Sequence, residues 1–217
     1  MYIPEHFRVT EHAEAIAFMR ANPFAILISS PPVSSIDDGP FATHLPVFVS
    51  ESGEEHLVVR GHVAKANPHW RYLEENQNCL TIFHGPHAYV SASNYSTREN
   101  VPTWNYGAVH AYGNARVFAS PQELQGVLHQ LIGTFEPAFA EQWGSLGEAY
   151  RERMLSHIVG FEIAVTKIEA KLKLSQNRTK EEQSNVIKSL GKSDDTVTSG
   201  VARLMQEQGL GLKKQND

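Results

Sequence analysis

From about Trp104 to Phe118 the side chains alternate in size, and that alternation limits the folds open to the chain. Asn105, Gly107, Val109, Ala111, Gly113, Ala115 and Val117 make one mostly small face. Trp104, Tyr106, His110, Tyr112, Asn114 and Arg116 make a large, polar-aromatic face. Successive strand residues point to opposite sides, so this is a long strand whose small side lets another layer pack closely.

Shorter strands surround it. Residues 24–29 form an apolar run, and residues 41–49 a second strand interrupted by Pro46, which marks an edge or a bulge. A hairpin-like Glu51-Ser52-Gly53-Glu54 leads into the Leu57 strand. Residues 79–84 and 88–91 read as two strands joined at Gly85-Pro86, and residues 159–170 as the last. Residues 30–40 are a Pro/Ser/Asp/Gly loop. Helices are expected over 11–21 with Thr10 as N-cap, over 69–77, over 121–134 with Leu124, Val127, Leu128 and Leu131 on one side, and over 148–157. About seven short strands mixed with helices, without regular βαβ alternation, indicate an α+β chain built on a small antiparallel barrel. In the tail, Thr179-Lys180-Glu181-Glu182 is a capping box and Gly191 closes the helix that follows. Asp194 or Asp195 opens another helix, which stops at Gly209, and residues 213–217 are a frayed end.

The chain carries a net charge of −5, yet Arg60-Gly61-His62-Val63-Ala64-Lys65-Ala66-Asn67-Pro68 is locally basic. Arg60 and His62 share a strand face, and Gly61 between them permits close approach by a backbone or ligand. Asn67 before Pro68 is a helix entry, and helix N-termini offer free N–H groups to anions. A bound anion is one explanation of the cluster; a solvated basic edge is the other.

No apolar run approaches membrane-spanning length, and the N-terminus lacks a signal-peptide pattern, so a cytoplasmic protein is expected. The single Cys79 lies in an apolar strand and reads as core. Among the 11 histidines, His84 and His87 flank a Gly-Pro turn, and His44, His62 and His110 could converge in a barrel. Neither set has metal-ligand spacing, and no metal site is expected. Nucleophile-elbow, P-loop and dinucleotide signatures are absent, and no catalytic residue is assigned.

Several blocks resemble the PaiB-like FMN-binding negative transcriptional regulators. They are Met1-Tyr2-Ile3-Pro4, Ala42-Thr43-His44-Leu45-Pro46, the Arg60–Pro68 segment, Gly85-Pro86-His87-Ala88-Tyr89-Val90-Ser91, Val101-Pro102-Thr103-Trp104-Asn105-Tyr106, Val109-His110-Ala111-Tyr112-Gly113, Ile158-Val159-Gly160-Phe161-Glu162-Ile163 and Lys171-Leu172-Lys173-Leu174-Ser175-Gln176-Asn177-Arg178. They keep their order over nearly the whole length, and the tail after Leu190 matches least.

The resemblance implies a split β-barrel like that of the pyridoxamine-phosphate oxidases, with peripheral helices. Residues 1–178 would form the FMN-binding domain. Residues 179–217 would form a helical hairpin packed on the barrel or on a dimer partner. It implies a homodimer with FMN at the subunit interface. Arg60 and Lys65 would hold the phosphate, with Gly61 and His62 between them and Asn67 capping the adjacent helix. The strand Thr43-His44-Leu45 would run along the flavin ring, with Thr103, Trp104 and Asn105 as a second part of the pocket. Gln176 and Asn177 carry amides that suit the flavin's carbonyls and ring nitrogens. Each has an alternative. Trp104 and Tyr106 suit a core or interface, Thr43 a cross-sheet pair, Asn177 a helix cap, and Arg60 a pair with Glu54 or Glu55.

The implied function is negative transcriptional regulation. The other readings are a flavin-dependent oxidoreductase or flavin reductase, and a haem-binding split barrel. As a DNA-binding helix-turn-helix the tail is poorly equipped: its second helix opens with Asp194 and Asp195 and offers only Arg203 to read bases.

Overall fold

The computed structural model describes residues 1–31, 39–52 and 56–212. Most of the 30–40 loop, the Gly53-Glu54 part of the expected hairpin connection, Glu55 and the frayed end at 213–217 lie outside the described residues. A seven-stranded antiparallel sheet has the order β2-β1-β5-β6-β7-β4-β3. The chain forms two compact units. A terminal unit comprises Met1–Glu14, His84–Val109 and Glu169–Asp217, and a central unit comprises Ala15–Phe83 and His110–Ile168. Strands β5 (Asn78–Val90), β6 (Thr103–Phe118) and β7 (Ile158–Lys173) contribute to both.

In the central unit, β1 (Phe24–Ser29) pairs with β2 (Phe41–Pro46) and, from Ile26 opposite Ile82 to Ser29 opposite Cys79, with β5. Strand β4 (His56–Ala64) pairs with β3 (Phe48–Ser52) on one side and β7 on the other, where Arg60 stands opposite Glu162. The small face of β6 is buried, as its alternation predicts. A Cβ on Gly113 would strike the Ala164 backbone and lie 2.7 Å from Ile163 Cγ2, so a residue without a side chain is required there. Helix α3 (Pro121–Phe135) is amphipathic as expected, and its Leu124, Val127 and Leu131 pack with Phe48, Phe118 and Leu155. Burying each leucine contributes roughly 2 kcal/mol. Ser120 caps the helix by accepting from Glu123 N, with Pro121 in its first turn.

In the terminal unit the end of β7 leads into α6 (Lys180–Leu190) and α7 (Thr196–Glu207). Leu174, Val186, Val201 and Met205 are fully buried. The capping box forms: Thr179 accepts from Glu182 N, and Glu182 accepts from Thr179 N. Asp195 caps α7, accepting from Val197 N and Thr198 N, and Gly209 follows that helix at φ 65°. The acidic start of α7 is therefore spent on the helix's own first turn.

Five features differ from expectation. Strand β5 is continuous through Gly85-Pro86. Its pairing with β1 ends at Ile82, so the missing proline N–H breaks no bond of that ladder. The strand expected over 41–49 is split at Val47, whose N–H bonds Pro23 O at 2.9 Å. Helix α1 (His12–Ala21) begins too late for Thr10 to cap it, and α4 (Phe139–Ser145), which buries Trp143, had no strong apolar period to announce it. Helix α2 (His69–Glu75) has Pro68 at its cap position; Asn67, one residue earlier, accepts from His69 N at 3.0 Å.

Candidate functional site

The residues singled out from sequence fall into two groups, one in each unit. In the central unit the register of β4 against β7 decides the state of Arg60. Directly opposite Glu162, it forms a cross-strand ion pair, with Nε at 2.6 Å and Nη2 at 2.5 Å from Oε2, while Nη1 donates to Ser50 Oγ at 3.1 Å. The guanidinium is thus neutralised from within the chain by Glu162; Glu54 and Glu55, the partners considered from sequence, lie outside the described residues. Gly61 has no room for a ligand in place of its Cβ, because Phe161 Cζ lies 2.8 Å and Pro46 O 3.3 Å from that point. His62 is half-buried, and desolvation pushes its imidazole pKa down; its Nδ1 is buried without a partner.

Around the entry to α2, Asn67 Nδ2 donates to Thr43 Oγ1 at 3.2 Å, and Thr43 Oγ1 lies 2.8 Å from His69 Nδ1. His69 is fully buried, and burial pushes its pKa down to about 4, so the ring is neutral at pH 7. Its Nε2 has no partner. Lys65 is exposed and forms no ion pair with any described residue. His44 is exposed beside Phe24 at 6.4 Å, and Leu45 is core, so Leu45 can offer only its backbone.

In the terminal unit the structure does bring called residues together. A cavity of about 180 Å³ has Phe7, Tyr95, Val101 and Pro102 on its apolar side. Thr103, Asn105, Lys173, Ser175, Asn177 and Arg178 form its polar side. Asn105 is fully buried, donating to Ser175 Oγ at 3.0 Å and accepting from it at 3.2 Å. Ser175 sits at φ 66°, a left-handed conformation uncommon for a serine. The turn it opens is braced by Gln183 Nε2, which donates to Ser175 O and Arg178 O, both at 3.1 Å.

Lys173 Nζ donates to Thr103 Oγ1 and, at 2.5 Å, to Trp104 O. Its pKa is lowered by burial, then by the charges of Lys171 and Arg178. Arg178 donates to Asn100 Oδ1 at 2.6 Å and lies 3.9 Å from the Tyr95 ring centre. Gln176 spends its amide on the strand end, accepting from Leu174 N and donating to Leu172 O. Trp104 points away from this group; it is 52% exposed and makes an edge contact with Tyr89 at 6.0 Å. Cys79 is buried, and burial pushes its thiol up to about 12, which removes it as a nucleophile.

Sequence reasoning passed over Glu162, His69, Lys173, Arg178 and Tyr95. The lysine and arginine were visible in the Lys171–Arg178 block, but its amides drew attention first. Glu162 becomes visible only once β4 and β7 are in register.

A family model described as "Putative FMN-binding domain" matches residues 1–167. The chain belongs to that family. As a member of the FMN-binding domain family it is 39% identical over 218 residues to the protease synthase and sporulation protein PAI 2 of Bacillus subtilis, covering 99% of this chain and 100% of the relative. In fold it is similar to the flavocytochrome Anf3 of Azotobacter vinelandii, with a TM-score of 0.57 at 16% identity, covering 82% of this chain and 73% of the other. It is also similar to the FAD and haem binding protein of Mycobacterium smegmatis, with a TM-score of 0.55 at 18% identity over 76% and 73% of the two chains. The fold is an α+β split barrel shared with these two proteins. Among the described residues no helix is long and apolar enough to cross a membrane, and no cluster of three metal-ligating side chains occurs.

Proposed function

We propose that this chain binds FMN as a cytoplasmic homodimer and acts as a negative transcriptional regulator whose state depends on the flavin. The observation that carries the reading is family membership through an FMN-binding domain model spanning residues 1–167. The PAI 2 relative, matched end to end, supports the regulatory part.

The residues fit a flavin nucleotide in part. Strand β2 lies at the edge of the sheet, so the Thr43-His44-Leu45 backbone can pair with the polar edge of the ring. Lys65 supplies a cation with no acid partner among the described residues. Arg60 does not fit a phosphate-binding role while Glu162 holds it. The buried, unpartnered Nε2 of neutral His69 marks a place where a polar group of a ligand or water would be satisfied. When bound, FMN supplies hydride and electron transfer; the protein positions it and excludes water.

The visible spectrum of protein reconstituted with FMN and passed through a desalting column tests the reading. Retained flavin absorbance at one FMN per chain is expected, and Lys65→Ala should retain less. A colourless eluate would overturn it. Light scattering checks the dimer, and salt-dependent binding to promoter DNA checks the regulator. The second reading, a flavin-dependent oxidoreductase, draws on the flavoprotein names of the two fold neighbours. It predicts reduction of the bound flavin by a nicotinamide nucleotide with turnover; the regulator predicts none.

A further inference from the structure

We propose that the cavity of the terminal unit is a binding site for a small oxyanion, a phosphate or carboxylate group, held by Lys173 and Arg178 with the Tyr95 hydroxyl. The argument begins with charge. Lys171, Lys173 and Arg178 cluster on the end of β7 and the turn after it, and none forms an ion pair with a carboxylate among the described residues. What they touch is neutral. Lys171 has Tyr2 O at 3.2 Å and the Tyr106 ring at 5.1 Å, Lys173 has Thr103 and the Trp104 carbonyl, and Arg178 has Asn100 and the Tyr95 ring. Lys171 is 6% exposed, so this charge is not simply dissolved in solvent. Buried charges are ordinarily paired. The depressed pKa of Lys173 reports the desolvation, and then the repulsion from Lys171 and Arg178, that result.

The second observation is independent of charge. Tyr95 lines the cavity, is 7% exposed, and its buried hydroxyl has no partner among the described residues. Buried polar groups without a partner are rare, and one carried by the ring under Arg178, in a cavity that Lys173 also lines, fits a missing acceptor oxygen. The third is the backbone. Ser175 holds a left-handed conformation and is pinned by Asn105 and Gln183, which fixes the Arg178 turn in advance of any ligand.

Size sets the class of ligand. A cavity of about 150 Å³ holds benzene, whereas pockets for drug-sized ligands run from about 300 Å³ upward. At about 180 Å³ the site takes an anionic group with a small body, and no whole flavin nucleotide. Two sources share that chemistry: the phosphate end of FMN, and a free phosphate or small carboxylate.

The test uses full-length protein stripped of flavin and inorganic phosphate as the probe, titrated by calorimetry at fixed ionic strength. Saturable binding with one phosphate per chain is expected. Arg178→Gln and Lys173→Gln should each weaken it at least tenfold, while the α7 variant Arg203→Gln leaves it unchanged. Tyr95→Phe keeps the ring under Arg178 and removes only the hydroxyl; it should weaken binding several-fold with unfolding temperature preserved, which guards against a misfolded charge variant. Displacement of phosphate by FMN but not by riboflavin identifies the flavin's phosphate as the occupant. Displacement by neither identifies a free anion. Absence of saturable phosphate binding, or equal binding by all four variants, overturns the site. Flavin retention in the visible spectrum is read separately, so failure of the FMN reading and failure of this site are distinguishable.

Discussion

Arg60 and Arg178 both lie in locally basic segments, and the structure treats them oppositely. Arg60 stands opposite Glu162 in the β4–β7 ladder and is neutralised at 2.5 Å. Arg178 follows the end of β7 in a turn, where its guanidinium meets, among the described residues, an amide oxygen at 2.6 Å and an aromatic face. Strand pairing sets which side chains face each other, so it also sets which charges are spent internally. The central unit pairs Arg60 with an internal acid; the terminal unit keeps Lys173 and Arg178 beside a cavity. Whether a basic residue can serve a ligand therefore depends on its cross-strand neighbour more than on the local density of Lys and Arg.

The largest expected effect probes how closed the central unit is. His69 is neutral in the fold with a pKa of about 4, against about 6.5 when unfolded. Between those values the unfolded chain binds the proton that the native ring refuses, so stability falls as pH drops from about 6.5 to 4. Above about 6.5 the penalty is absent, and below about 4 it is complete. It amounts to on the order of 2–3 kcal/mol. Urea unfolding of wild type and His69→Phe at a series of pH values isolates it, since the difference between the two curves should carry this slope. A parallel pair of curves would mean that His69 reaches solvent.

Next in size is the ion pair itself. Glu162→Ala strands a guanidinium that is only 25% exposed, and should cost about 2 kcal/mol, less than a fully buried pair. The same variant sharpens the comparison in a second way. With Glu162 gone, Arg60 becomes available, and phosphate should acquire an added, weaker site in the central unit. If stability and phosphate stoichiometry both stay at wild-type values, the pair is a surface contact of no consequence.

The division between what could and could not be read from the sequence follows the same line. Periodicity located β6, α3, β7 and both tail helices, because each buries a continuous stripe whose spacing is local. The capping box and the Asp195 cap were legible because their partners lie within three residues. Thr103, Asn105 and Asn177, all singled out from sequence, line one cavity. Arg60 was misjudged, because Glu162 is 102 positions away and no local pattern reveals a cross-strand partner. Gly61 permits close approach by a backbone or a ligand, and it is the Phe161 ring and the Pro46 backbone carbonyl that take the space.

A smaller effect tests whether the terminal cavity is held in shape by the tail. Thr179→Ala removes the cap of α6 and should cost about 1 kcal/mol in thermal or urea unfolding. Because Gln183 on that helix braces the Arg178 turn, the variant should also weaken phosphate binding by a few-fold. Loss of stability with unchanged phosphate affinity would show that the turn is fixed by Asn105 alone.

The smallest effect on stability is expected where the effect on binding is largest. Removing one of several like charges relieves repulsion, so Arg178→Gln in phosphate-free buffer should shift stability by no more than about 0.5 kcal/mol, in either direction, despite the lost bond to Asn100. Phosphate in place of chloride at the same ionic strength should then raise the unfolding temperature of wild type and leave the variant unmoved, because a ligand stabilises only the state that binds it. For Arg60 the pattern reverses, with a large stability cost on substitution and little dependence on phosphate. If Arg178→Gln instead destabilised as much as Glu162→Ala, the terminal cations would be structural after all, and the contrast between the two units would disappear.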